Sequence, residues 1–319
     1  MMQSRDVRSR ALPSLVGITC TIALAAWIVS SLAAAPQRGP LVLLAVAVEG
    51  PDGQLVTGLT RDTFEIVAGG VTRPVELFDA GKEQPLSLVL LFDVSASMET
   101  NFKRSVVRTA VEKWFVDRLA PRDRVQVGSF AKQISIGPPL VGNPRALLAA
   151  VRAALDPREA DTLGPSPIWD AVDAAVTALA RANGRRAVLL VTDGRATGNR
   201  LGVDDVGMRA AAEGVAVSVV GEDWEMTLRQ EGDTGVRVRP GVALEWIASA
   251  TGGLYLADRA IPPAPGPILE RLLADLHGRY TLGFTPPVRD GKAHELDIRI
   301  NRPGLKLRAR RSYIASAEP

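Results

Sequence analysis

Asp93, Ser95 and Ser97 stand in an Asp-x-Ser-x-Ser spacing at the end of a run, Leu86 to Phe92, that is apolar but for Ser87. One carboxylate and two hydroxyls so close together are hard oxygen donors, the kind that magnesium takes. The run has the length of a strand and no clean alternation, so it reads as a strand buried on both faces of a parallel sheet. Ligands of such sheets bind in the crevice beyond the carboxyl ends of the strands. The loop after Phe92 therefore lies where an α/β protein keeps its site.

The elements that must hold this loop can be read on either side of it. Downstream, Phe102 to Leu119 has apolar residues at roughly helical spacing, and Arg124 to Phe130 alternates as a strand. Ile134 to Leu140 reads as a hairpin-like second strand, and Pro144 opens a helix to Leu155. A loop from Asp156 to Pro165 precedes an amphipathic helix, Ile168 to Ala182, that Asn183-Gly184 ends. Ala187 to Thr192 is a buried strand, Val203 to Glu213 a helix stopped by Gly214, and Val215 to Val220 a strand. Trp224 to Arg239 is polar and reads as a long loop. A helix over Val242 to Ala250, a short strand over Leu254 to Ala257 and a helix over Ile268 to His277 complete the alternation, which is the signature of a mostly parallel sheet wrapped by helices. Trp114 and Trp169 fall on apolar helix faces and are assigned to the core, as is Met98.

The flanks have a different period. Upstream, strands are expected at Leu41 to Glu49, within Gly58 to Val67 and at Val75 to Asp79, with turns at Pro51-Asp52-Gly53 and Gly69-Gly70. After His277, strands are expected at Tyr280 to Phe284, His294 to Ile300 and Leu305 to Tyr313. Either flank alone offers about three strands, marginal for an independent core. Pairing between them, with the α/β core inserted, solves that problem. Arg308, Arg310 and Arg311 read as a solvated strand face, and His294 as a strand-surface residue.

A strand ending in Asp is not specific by itself. A haloacid-dehalogenase nucleophile needs a second Asp two residues on, where this chain has Ser95, and a receiver domain needs an acidic pair and a lysine that are not arranged here. The Asp-x-Ser-x-Ser loop instead resembles the metal-ion-dependent adhesion site of von Willebrand factor type A (VWA) domains and integrin I domains. Gly164-Pro165-Ser166-Pro167-Ile168-Trp169-Asp170 resembles that family's Gly-Gly-Thr-x-x-x-Asp loop, with Ser166 in the Thr position. Ala187 to Gly194 resembles its fourth strand and Thr-Asp-Gly end. The resemblance implies a Rossmann-like domain over 85–278 in which Ser95, Ser97 and Ser166 offer hydroxyl ligands, while Asp93 and Asp193 hold metal-bound waters. It implies Mg2+ or Mn2+ rather than Ca2+, with one position left for a Glu or Asp of a protein partner. Two departures are Ala96, where the family often has Gly, and Ser166, which lacks the stiffening methyl of Thr. Segments 36–84 and 279–319 resemble the flanks of VWA-bearing secreted bacterial proteins first noticed in Acidobacteria, and imply one shared β-sandwich.

Composition narrows the classes further. The 319-residue chain carries a formal charge of only +3, and three arginines against one aspartate in its first 35 residues account for most of it, so bulk charge gives no support for nucleic-acid binding. The only cysteine is Cys20, which excludes disulfides, Cys-ligated zinc and Cys nucleophiles downstream, and two histidines leave no His-rich metal site. Residues 1–35, with Arg5, Arg8 and Arg10 before the apolar Ala11 to Val29 and the small residues Ser30 to Ala35, read as an export signal or an uncleaved signal anchor. The expectation is an extracytoplasmic, non-enzymatic protein that binds a protein partner through a divalent ion. An envelope scaffold with a vestigial site is the alternative. A metal-assisted hydrolase is more remote, because no Gly-x-Ser-x-Gly elbow and no placed general base accompany the site.

Overall fold

The computed structural model describes residues 41–315 apart from 82–83, 100–102, 223–224, 229–235, 240 and 259–265. The N-terminal basic and apolar stretch, and the start of the expected helix at Phe102, lie outside the described residues. No helix among the described residues is long and apolar enough to cross a membrane.

In chain order the strands before the core are β1 (Val42–Glu49), β2 (Phe64–Ala68), β3 (Val71–Arg73) and β4 (Leu77–Asp79). The core begins with β5 (Leu86–Asp93), α1 (Lys103–Ala110), β6 (Arg124–Phe130), β7 (Ile134–Ile136), β8 (Leu140–Val141) and α2 (Pro144–Ala154). It continues with the single turn α3 (Glu159–Thr162), α4 (Ile168–Leu179), β9 (Arg185–Val191), α5 (Val203–Glu213) and β10 (Val215–Glu222). Then come β11 (Met226–Leu228), β12 (Val236–Val238), α6 (Gly241–Thr251), β13 (Tyr255–Asp258) and α7 (Gly266–His277). The chain closes with β14 (Tyr280–Phe284), β15 (Ala293–Ile300), β16 (Lys306–Arg308) and β17 (Ser312–Ile314).

The central sheet runs β13-β10-β9-β5-β6-β7, with β8 also on β6, and all but the short β7 and β8 are parallel. Every residue of β5 is buried. Leu88, Leu90 and Phe92 pack with Val107, Val111 and Leu272 on one face, whereas Val89 and Leu91 pack with Ile168, Val172 and Ile247 on the other. Burying each such side chain contributes about 1.5–3 kcal/mol, which is why this strand shows no polar alternation. From β5 the chain moves to β6 on one side and later returns to β9 on the other. The carboxyl ends of β5 and β9 thus form the point where strand order reverses, the place where open α/β sheets bind ligands.

The two flanks pair. One four-stranded antiparallel sheet runs β16-β1-β14-β4 and the other β17-β15-β2-β3, so both contain strands from each end of the chain. Between them lies a separate core with Phe64, Phe78 and Tyr280 in mutual contact and Phe284 edge-on to Tyr313. The hydroxyl of Tyr280 donates to Val56 O at 2.9 Å and accepts from Leu59 N at 3.1 Å, which pins the loop after β1.

Several sequence expectations need correction. The Phe102–Leu119 helix is α-helical only through Ala110; Val111–Phe115 widens into a π turn and Val116–Arg118 tightens to 3-10. Phe115 and Val116 are both buried where the widened turn passes into the 3-10 turn. Trp114 is only half-buried, with Lys113 and Arg118 each 5.5 Å from its ring. The loop expected over Trp224–Arg239 contains the β11–β12 hairpin. Leu305–Tyr313 is split into β16 and β17, and Ile134–Leu140 into β7 and β8 around Gly137-Pro138-Pro139. Strand β3 was not expected; Gly69 and Gly70, both at positive φ, turn β2 back onto it. Arg310 is buried rather than solvated. It donates to the carbonyls of Ala211, Ala212 and Leu43, covering the end of α5. Burial, with Arg186 beside it, lowers its pKa to about 10.

Candidate functional site

Three loops meet at the carboxyl ends of β5 and β9. The first follows β5. Asp93 is fully buried, and its Oδ1 accepts from Ser95 N at 2.9 Å, closing a side-chain turn of the kind that Asp makes two residues ahead. A single 3-10 turn, Ala96–Met98, comes next, anchored by the buried Met98. This turn brings Ser95 Oγ and Ser97 Oγ to 3.1 Å. Ala96 is exposed and lies in the 3-10 turn, so the loop needs no glycine there.

The second loop precedes α4 and delivers Ser166, whose Oγ donates to Asp93 Oδ2 at 3.0 Å. The third follows β9. Thr192 Oγ1 donates to the same Asp93 oxygen at 2.7 Å and accepts from Gly194 N at 3.0 Å. Asp193, also fully buried, repeats the turn seen at Asp93, its Oδ1 accepting from Arg195 N at 3.1 Å. The second and third loops are fastened together: Ser166 N donates to Thr197 Oγ1 at 2.8 Å and Thr197 N to Ser166 O at 2.9 Å. Pro165 rests on Gly198, where φ is +67° and an added Cβ would lie 2.5 Å from the proline Cβ. Below them Asp170, in the first turn of α4, accepts from the backbone of Arg200 and Leu201 and from Arg200 Nε at 3.0 Å.

Asp93, Ser95, Ser97 and Ser166 are therefore gathered by direct hydrogen bonds, and Asp193 reaches the group through its charge. Burial pushes the Asp93 carboxyl above its ordinary range, hydrogen bonds from Ser95 and Thr192 draw it back, and the Asp193 charge pushes it up again. Two buried carboxylates within range of mutual repulsion, beside three hydroxyl oxygens, form a donor set that suits a hard divalent cation. Among the described residues there is no cluster of three or more His, Cys, Asp or Glu side chains that could hold a metal.

Three side chains at this place were not singled out from sequence. Thr192 was seen only as part of its turn. Lys103 opens α1 with a side chain 9% exposed, its Nζ 2.8 Å from Glu222 Oε2 and 3.7 Å from Asp193 Oδ2. Glu222 ends β10. The only sequence signal for the pair is a carboxylate at the end of an apolar strand and a lysine at the start of a helix, both near carboxyl ends of strands.

The chain carries a von Willebrand factor type A domain, whose family model matches residues 87–234. Similar solved structures include an aerotolerance-related membrane protein from Bacteroides fragilis, with 16% identity over 60% of this chain and 98% of that one and a TM-score of 0.47. A von Willebrand factor type A protein from Catenulispora acidiphila has 13% identity over 86% and 74%, with a TM-score of 0.48. Proximal thread matrix protein 1 from the mussel byssus, solved with a zinc-occupied MIDAS motif, has 16% identity over 66% and 49%, with a TM-score of 0.49. No curated protein matches the chain.

Proposed function

We propose that this protein binds a protein partner through a divalent metal ion, Mg2+ or Mn2+, at a metal-ion-dependent adhesion site. Ser95, Ser97 and Ser166 supply hydroxyl ligands, and Asp93 and Asp193 hold water on the metal. The ion supplies Lewis acidity toward an anionic ligand; with neutral hydroxyls as direct donors it keeps enough positive charge to draw a Glu or Asp of the partner into the remaining position. The observation that carries this reading is the convergence of Ser95, Ser166 and Thr192 on one buried carboxylate, Asp93, with the Asp193 charge nearby.

The role is recognition rather than turnover. Both carboxylates are committed to turns and hydrogen bonds, and neither histidine stands among the site residues: His277 pairs with Asp123 and His294 with Asp290. The β-sandwich acts as the mount, and the N-terminal basic and apolar stretch takes the protein out of the cytoplasm. The test is capture of envelope proteins on the immobilised protein in Mg2+ and in chelator, with the Asp93→Ala variant beside it. A partner retained only by the wild type with metal is expected. Identical capture in chelator contradicts the reading.

A further inference from the structure

The site already contains a cation supplied by the chain. The Lys103 ammonium is buried between two acids from different strands, touching Glu222 at 2.8 Å and standing 3.7 Å from Asp193 Oδ2. Arg195 Nε approaches the same Asp193 oxygen at 3.7 Å from the solvent side, where its side chain is 56% exposed. Burying an ammonium is costly unless it is paired. Glu222 alone would satisfy that need, yet the lysine is also set against the carboxylate that the metal reading assigns to the ion.

We infer that Lys103 is a tethered counter-cation that competes with the divalent ion for Asp193, lowering metal affinity while it keeps the metal-free site folded. The inference rests on the metal-binding reading above. In the metal-free protein the ammonium offsets the charge of Asp193. When a divalent cation enters, Lys103 repels it, and Glu222 limits that repulsion by holding the ammonium's own countercharge. The pair thus sets the ion concentration at which the adhesive state forms, and Arg195 adds a weaker, solvent-screened contribution.

The test is calorimetric titration of the full chain with Mn2+, together with thermal melts in chelator and in saturating Mn2+. Lys103→Met is expected to bind the ion about tenfold more tightly or better, since a neighbouring charge in such a site shifts equilibria by one unit or more. It should also melt lower in chelator and gain more on adding metal. Glu222→Gln should bind more weakly than the wild type. The double variant Lys103→Met/Glu222→Gln removes the ammonium together with its Glu222 countercharge, so it does not strand Glu222 as a buried unpaired acid and remains informative if Lys103→Met does not fold. It should bind more tightly than the wild type, because the lysine is the member of the pair near Asp193. Equal affinities across the series, or weaker binding by the double variant, overturn the inference while leaving the metal site standing. Absence of Mn2+ binding in every protein, wild type included, overturns both.

Discussion

At the carboxyl ends of β5 and β9, two buried carboxylates lie within range of mutual repulsion, and a buried cation, Lys103, is shared between one of them and a third acid. At the seam between the α/β core and the sandwich, charge is buried as deeply but balanced differently. Asp275 on α7 accepts from Arg279 at 3.1 and 2.5 Å and from Arg308 of β16, which also donates to Glu49 of β1 at 2.9 Å. Two acids meet two guanidiniums, and the network ties a helix of the core to strands of the sandwich. The electrostatics differ in sign as well. Burial alone raises the Asp275 carboxyl, but Arg279 and Arg308 outweigh it and hold it below its usual range, whereas Asp93 stays above. The contrast separates charge that closes on itself to hold two domains together from charge that is left less fully balanced at the proposed metal site.

Breaking the seam is expected to cost most. Asp275→Asn leaves the buried Arg279 guanidinium without its carboxylate and Arg308 with Glu49 alone, and should lower stability by about 3–5 kcal/mol in urea unfolding. A loss below about 1 kcal/mol, the value of an exposed pair, would erase the distinction between the regions. The same residue gives a pH signature. Its folded pKa is depressed, so its contribution is full above the unfolded carboxylate value and is lost as the pH falls through the folded one. Stability of the wild type should therefore decline on acidification more steeply than that of Asp275→Asn, as read from urea midpoints between neutral and acid pH.

Smaller effects belong to the open site. Gly198→Ala puts a Cβ against Pro165 at a positive φ and should cost about 1–3 kcal/mol. It should also weaken metal binding, because Ser166 hangs on that contact. Smallest of all, Ser166→Ala should weaken Mg2+ binding about tenfold, in keeping with loss of one charge-assisted contact of about 1.5 kcal/mol. Ser166→Thr should bind at least as well as the wild type. If Ser166→Ala binds as tightly, the second loop supplies no ligand and the site is smaller than argued.

How much of this was legible in the sequence follows the same division. Buried strand β5 announces itself because both of its faces must be apolar, and the Asp93 loop is local, so spacing alone reveals it. Ser166 and Asp193 were reachable only through the family resemblance, since nothing local tells a serine before a helix that it will meet Asp93. Lys103 sits in an amphipathic helix, where a lysine reads as solvated, and its burial depends on Glu222, more than a hundred residues away. Arg308 and Arg310 looked like one face of an exposed strand for the same reason. Their partners are a carboxylate on α7 and the open carbonyls at the end of α5, supplied by packing between domains that the local pattern does not encode. The π turn in Val111–Phe115 was hidden because a widened turn preserves a roughly helical spacing of apolar residues.

The central claim is that three loops together hold one divalent cation, and titration calorimetry with Mg2+ or Mn2+ on wild type and Asp93→Ala tests it most directly. The account predicts a single saturable site in the wild type and no measurable site in the variant, with both proteins folded by circular dichroism in chelator. Indistinguishable heats from the two would contradict it.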